Sequence, residues 1–420
     1  MKIFPPNSVV TVFFLSIIVS GFITNAKAYS RTSPVLVETK INKLQFQLEV
    51  SPHSTYLVNK EINLRGQKVV LPEGVTLKFN NGGFSNGEIV GNGTKVSGLS
   101  SKIFDRVTIS GTWNVPKIST AMFRDLSYDN ALRDVVALSD PSVHNIITIE
   151  KGDYVAKVTG YIPALSIRSN TDVILNGTIK LKSNNLDQYV IVNLSGANIN
   201  LHGSGQIIGD KFSHTGTTGE WGMGVKVSAG QNVVISDITI KECWGDCIYV
   251  GNSSKNVTID NCTLIDGRRQ GISVTSANGV TIKDCNISNV NGTAPQYAID
   301  IEPNIGDTID NVLIDNVKVI NCFGGFGTFG RAQGARIGTV TIRNSSVKGS
   351  KSKYPISLIR GEEIIMENCY IDSDDRSSVL VQEVENVSAK DNMLKSTNSL
   401  PFKIIQCEKI KVKNNIIPKE

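Results

Sequence analysis

Asp246, Asp300 and Glu302 are the residues of this chain best equipped for chemistry. Asp300 and Glu302 share one face of the alternating segment Ala298-Ile-Asp-Ile-Glu302, and strand rise puts their Cα atoms ~7 Å apart. Asp246 stands in Trp244-Gly-Asp-Cys247, just ahead of a similar segment, and Arg268-Arg-Gln270 precedes a third. Carboxyl groups that crowd one another have their pKa values pushed apart, so one keeps a proton while another stays a base. A donor and a second carboxylate, ~5 Å apart or ~6.5–9.5 Å apart, are what acid–base cleavage of a glycosidic bond requires.

Residues so far apart in sequence meet only if the chain repeats. From Asp237 onward an Asn or Asp recurs at Asn261, Asp284, Asn316, Asn344, Asn368, Asp391 and Asn414, at intervals of 24, 23, 32, 28, 24, 23 and 23 residues. Each sits one step before the last apolar residues of an alternating segment such as Asn256-Val-Thr-Ile-Asp-Asn-Cys-Thr-Leu264, and eleven residues later comes a second apolar strand: Cys247–Val250, Gly271–Val274, Ala298–Ile301, Ser378–Val381. A period near 23 residues without helical spacing predicts an all-β right-handed parallel β-helix, the hand following the crossover preference of parallel strands. Coils stack ~4.8 Å apart, so equivalent residues form ladders. The repeated Asn/Asp are read as a structural ladder at a turn. Cys262, Cys285 and Cys369, in step with Val317 and Ser345, are read as a buried stack of small side chains with free thiols.

Aligning Val225, Ile248, Ile272 and Ile299 as inward residues makes Lys226, Tyr249, Ser273 and Asp300 the outward ladder, with Glu302 on the same face. Glu220-Trp221, Trp244 to Asp246 and Arg268 to Gln270 enter the same stripe. A sugar groove is therefore expected here, with Asp246, Asp300 and Glu302 catalytic and Glu220, Trp244, Tyr249, Arg268, Arg269 and Gln270 binding substrate. Asp246, two coils or ~10 Å from Asp300 along the axis, is placed to face it across a bound sugar. Trp221 and Trp244, at matching positions in neighbouring coils, fit a core stack as well as a sugar platform. His202 and His214 are isolated and read as structural or surface residues.

With 420 residues, 6% aromatic, 19% charged and a formal net charge of +5, the chain suits one elongated solenoid and shows no nucleic-acid signature. Residues 1–28 read as a signal peptide: Lys2, an apolar run from Val9 to Ile23 too short to span a membrane, and an A-x-A site ending at Ala28. A secreted or periplasmic protein cleaved after Ala28 is expected, with no membrane span. Residues 29–140 are assigned to capping coils and a short helix over Leu126–Leu138, and 141–420 to the β-helix that carries the groove. Asn291–Gln296 and Gly324–Arg331 lengthen their coils and are expected to wall it. Lys409–Lys413 sets lysines on an end strand, a guard against edge pairing.

The run Trp244-Gly-Asp-Cys-Ile-Tyr-Val250, with Arg269-Gln-Gly-Ile-Ser-Val274 and Ala298-Ile-Asp-Ile-Glu302, resembles the polygalacturonases, pectin-cleaving glycosidases of the pectin-lyase fold. The resemblance covers roughly residues 220 to 305. It aligns Asp246 with the second family aspartate; Gly245 replaces the first and Met223 the aspartate of the preceding coil. Gln270 stands where the family has histidine, and Asp300 and Glu302 where it has Arg and Lys to hold a uronate carboxylate. The resemblance thus implies a glycan-degrading β-helix acting on something other than plain polygalacturonate. Three readings stand: hydrolysis without a cofactor; elimination or epimerisation, with Arg268 or Arg269 as base and Ca²⁺ held by Asp246, Asp300 and Glu302; and a non-catalytic glycan-binding scaffold. The partner in each is a polysaccharide or oligosaccharide, bound by a monomer or homotrimer.

Overall fold

The computed structural model describes residues 35–36, 50–98, 101–372, 379–395 and 401–416. The expected signal peptide and Ser378 lie outside the described residues.

The coil turn explains the repeat. All eight recurrent Asn and Asp residues adopt left-handed backbone, with φ between 49° and 61°. Asn and Asp tolerate that region better than other side chains because their short polar groups bond locally. Some of those bonds run between rungs: Asn261 Nδ2 donates to Asp237 Oδ1 at 2.8 Å, and Asn316 Nδ2 to Asp284 Oδ1 at 2.6 Å. The residues just before them pair in one continuous register, Ser236 with Asp260, then Lys283, Asp315, Arg343, Glu367, Lys390 and Lys413. The eight turns are therefore equivalent.

Each central coil contributes three strands. In one coil these are Ile248–Gly251, Ser254–Asp260 and Thr263–Ile265; in the next, Ile272–Val274, Ala277–Lys283 and Asn286–Ser288. Every pairing between successive coils is parallel, and the chain is a right-handed parallel β-helix. Alternation sends Val225, Ile248, Ile272, Ile299, Phe326, Ile356 and Val379 inward as one buried column. Each rung covers the apolar face of the last, so the core extends along the axis as coils are added. Cys262, Cys285 and Cys369 are buried beside Val317 and Ser345, and all seven cysteines are free thiols.

Residues 55–114 form most of a separate parallel sheet, with Phe79, Phe84, Phe104 and Trp113 in edge-to-face contact at its core. The helix is shorter than its spacing predicted: only Leu132–Val136 is α-helical, within the expected Leu126–Leu138. Its Asp134 accepts a hydrogen bond from the Ile109 backbone and one from Tyr128, which ties the segment to the sheet more than helical propensity does. Gly324–Phe329, expected as a loop, is a strand paired with Tyr297–Ile301 and with Ile356–Glu367, so it continues the sheet.

Candidate functional site

The outward ladder follows the expected register: Lys226, Tyr249, Ser273 and Asp300 are successive partners. Burial departs from the expectation. Asp246 and Asp300 are 0% and 1% exposed, while the Glu220 and Glu302 side chains are 46% and 45% exposed. Two carboxylates are thus buried, Asp300 in the floor and Asp246 behind it, two lie on the surface, and Arg269 stands between them. Its guanidinium lies 3.5 Å from Asp246, 3.5 Å from Glu220 and 3.7 Å from Glu302. Desolvation would lower the Arg269 pKa, but Asp246, Asp300, Glu302 and Glu220 together hold it above its usual value.

One cation shared among four acids cannot neutralise them all. Burial pushes Asp246 up to about 6, against the opposing pull of Arg269 and the Ser273 hydroxyl, which donates to it at 2.8 Å. Asp300 is raised further, first by burial and then by the charge of Glu302. Its Oδ2 accepts from Gln270 Nε2 at 2.5 Å, whereas its buried Oδ1 has no partner. Protonation resolves that orphan, since a carboxyl O–H in contact with Glu302 becomes a donor.

Above this floor is a cleft of ≈ 260 Å³, lined in part by Trp221, Lys226, Tyr249, Arg269, Asp300 and Glu302. Trp221 is 48% exposed, an aromatic face available to the C–H surface of a sugar ring. The expected binding residues divide accordingly. Tyr249 and Arg269 line the cleft; Glu220 is exposed beside Trp221 but outside the lining; Asp246, Trp244, Arg268 and Gln270 lie behind it. Asp246 therefore does not face Asp300 across the cleft. Gln270 is fully buried, clasping Asp300 with its amide while its Oε1 accepts from the Tyr297 backbone at 2.7 Å. It positions the acid and does not meet substrate.

Trp244 cannot serve as a sugar platform. The His214 ring stacks on it at 3.9 Å and the Arg268 guanidinium carbon lies 3.8 Å from the same centroid, so both faces are covered. Arg268 also donates to the carbonyls of Gly219 and Trp244. His214 is buried and holds Asp210 Oδ2 at 2.9 Å, and Asp210 Oδ1 in turn accepts from Tyr189 at 2.5 Å. This packed network fixes the segment that delivers Glu220 and Trp221. Sequence reading could not find it, because His214, isolated in sequence, meets Trp244 only through the fold.

Two glycines explain further departures. A Cβ on Gly245 would meet the Glu220 carbonyl oxygen at 2.4 Å and the Gly222 nitrogen at 2.7 Å, and one on Gly271 would meet the Ala298 carbonyl oxygen at 2.4 Å. Backbone occupies the place where an aspartate side chain at position 245 would begin. Among the described residues no three His, Cys, Asp or Glu side chains converge closely enough to hold a metal ion; the centre of the acidic cluster is taken by Arg269. The expected Asn291–Gln296 wall also lies outside the cleft lining.

Residues 165–302 match the family described as "Right handed beta helix region", a stretch that runs from before Glu220 to Glu302. The chain is 37% identical over 124 residues to YclG of Bacillus subtilis (strain 168), which is 25% of this chain and 21% of that protein. It is 33% identical over 119 residues to the SPbeta prophage-derived protein YorA of the same organism, 23% of this chain and 20% of that protein. The matched stretch thus spans about a fifth of each relative. Among solved structures, the hyperthermoactive exopolygalacturonase of Thermotoga maritima is similar at a TM-score of 0.48 and 14% identity, over 71% of this chain and 91% of that one.

Proposed function

We propose that the chain is a glycoside hydrolase that cleaves a polysaccharide laid along the cleft. The observation that carries this reading is Asp300, a carboxyl in the lining of an open cleft with one buried oxygen unpartnered, its pKa pushed up by burial and by Glu302. Two carboxyls in contact cannot both ionise, so the Asp300–Glu302 pair holds one proton and supplies the acid for the leaving oxygen. Glu220, at the Nε of Arg269 whose Nη2 faces Glu302, supplies the carboxylate that activates water. The nearest oxygens of Glu220 and Glu302 each lie within 4.0 Å of one guanidinium group, which keeps them no farther apart than the ~9.5 Å spanned by an inverting pair. Asp246, out of reach of substrate, acts as the buried counter-charge that holds Arg269 in place.

Elimination fits the geometry less well. An arginine whose pKa is raised by four carboxylates is a poor base, and Arg268 is stacked on Trp244 and bonded to backbone. Polysaccharide digests followed by proton NMR test the proposal: reducing ends should appear with inverted anomeric configuration and without unsaturated uronate. Asp300→Asn and Glu220→Gln should each lower turnover by ~10²-fold or more, the scale of lost acid–base help, with the fold intact by circular dichroism. Near-wild-type turnover in both variants would sink the assignment. Export is part of the proposal, supported by Lys2, the apolar run from Val9 to Ile23 and the A-x-A site ending at Ala28; N-terminal sequencing of the mature protein should begin at Tyr29, and recovery of only the intact chain from the cytosol would overturn it.

A further inference from the structure

The two ends of the cleft differ in charge. Toward one end the outward ladder passes from Asn193 to Lys226, which is half-buried, its Nζ 5.3 Å from the Tyr249 ring centroid and, among the described residues, in none of the ion pairs of the chain. At the other end stand Asp300 and Glu302, with Asn304 beyond. Lys226 and Asp300 are three rungs apart by register, Lys226 to Tyr249 to Ser273 to Asp300, or ~14 Å along the axis. That span takes more than one sugar ring. Between the ends, Arg269 is already engaged by Asp246, Glu220 and Glu302, so it has little attraction left for a ligand anion. Arg268 is likewise committed to Trp244 and to backbone carbonyls.

A cation half-removed from water without a carboxylate partner is stabilised by any anion that reaches it, and the aromatic ring beside it offers only partial compensation. A sugar carboxylate over Lys226 would supply that anion. The same carboxylate at the far end would meet the Asp300–Glu302 pair, which keeps one negative charge after sharing its proton and repels it, whereas a hydroxyl, an amide N–H or an ammonium is accepted there. We infer that the cleft reads alternation of charge: a uronate at the Lys226 subsite and a sugar without negative charge at the Asp300–Glu302 subsite, so that the ligand is a mixed polysaccharide and neither a plain polyuronate nor a neutral glucan. This rests on the proposed glycan-cleaving site and adds the class of substrate.

The test reads binding separately from cleavage. Wild-type protein is offered matched-length oligosaccharides of four kinds: all-uronate, uncharged, all-amino, and uronate alternating with an N-acetylamino sugar. The alternating chain should bind at least about 10-fold more tightly than the other three, a difference of one well-placed charge pair. Lys226→Met should lose about 10-fold on the alternating chain and less than about twofold on the uncharged one, and Lys226→Arg should restore most of the loss. Preference for the all-uronate, all-amino or uncharged chain, an unaffected Lys226→Met, or no binding by any of the four overturns the inference. Tight binding of the alternating chain without its cleavage would leave the inference standing and remove the hydrolase reading. Inverting cleavage of polygalacturonate would do the reverse.

Discussion

Two acidic regions of this β-helix use the same residue types to opposite effect. On the outer strands two half-buried carboxylates each have an arginine of their own: Asp315 accepts from Arg343 at 2.7 Å and Glu383 from Arg360 at 2.5 Å. The Arg343 hydrogen bond holds Asp315 below its ordinary pKa, and the Arg360 hydrogen bond does the same for Glu383. In the cleft, four carboxylates share Arg269, two of them buried, and Asp246 and Asp300 are driven upward instead. Stoichiometry and burial, not residue identity, decide whether an acid in this fold is a strut or a proton store. A solenoid makes the contrast possible because every coil offers the same outward positions and differs only in what fills them.

The largest effect should come from removing the shared cation. Arg269→Met leaves Asp246 and Asp300 buried without a counter-charge, a defect that costs about 3–5 kcal/mol in comparable buried pairs. Both carboxyls have raised folded-state pKa values, so the deficit grows as pH rises and they ionise. Thermal melts should show a large loss for the variant at pH 8 and partial recovery at pH 5. Equal losses at both pH values would show that Arg269 contributes packing and not charge balance.

Asp246→Asn makes a subtler test. Asp246 titrates at about 6 in the folded chain against an ordinary 3.8, so the folded state binds the extra proton between those values. Wild-type stability should therefore be highest below about pH 4 with respect to this group and fall as pH rises through 6, by a total of order 3 kcal/mol. The amide variant carries no charge to bury. Its stability curve should lack that slope and lie above wild type at pH 8, while Arg269, with one counter-charge fewer, is less firmly held and turnover falls. A variant with the wild-type slope would assign the pH dependence to Asp300 or to another group.

How much of this was legible in the sequence depends on the range of the cause. Turn residues and strand register follow from backbone conformation and side-chain alternation, both local, so the Asn/Asp ladder and the column Lys226, Tyr249, Ser273, Asp300 could be read directly. Burial of Asp246 and Asp300 could not, because it is produced by side chains from other coils, Arg269, Gln270 and Ser273 among them. Trp221 and Trp244 occupy matching positions, yet only Trp221 reaches the cleft; His214, thirty residues earlier in the chain, covers one face of Trp244. Lys226 was visible as an outward residue but gave no sign that it would lack a partner. Gly245 read as a lost aspartate, whereas the structure shows backbone filling the space a side chain would need.

The smallest effect should belong to the outer strands, and it sets the baseline for the comparison. Asp315 is a lowered carboxylate, so its contribution is present above pH 3.8 and disappears as pH falls through its folded value. The Arg343 side chain that holds it is 45% exposed, and pairs this open to water contribute at most ~1 kcal/mol. Asp315→Asn should therefore lower stability by less than that at pH 7, by progressively less as pH falls below 3.8, and by nothing at pH 7 in 1 M salt, where the screening length shrinks to ~3 Å. Its slope with pH is opposite in sign to that of Asp246→Asn, which makes the two variants a matched pair in the same denaturation assay. If Asp315→Asn proved as costly as Arg269→Met, the outer ion pairs would be structural on the scale of the site, and the distinction between one arginine per acid and one arginine for four would lose its physical basis.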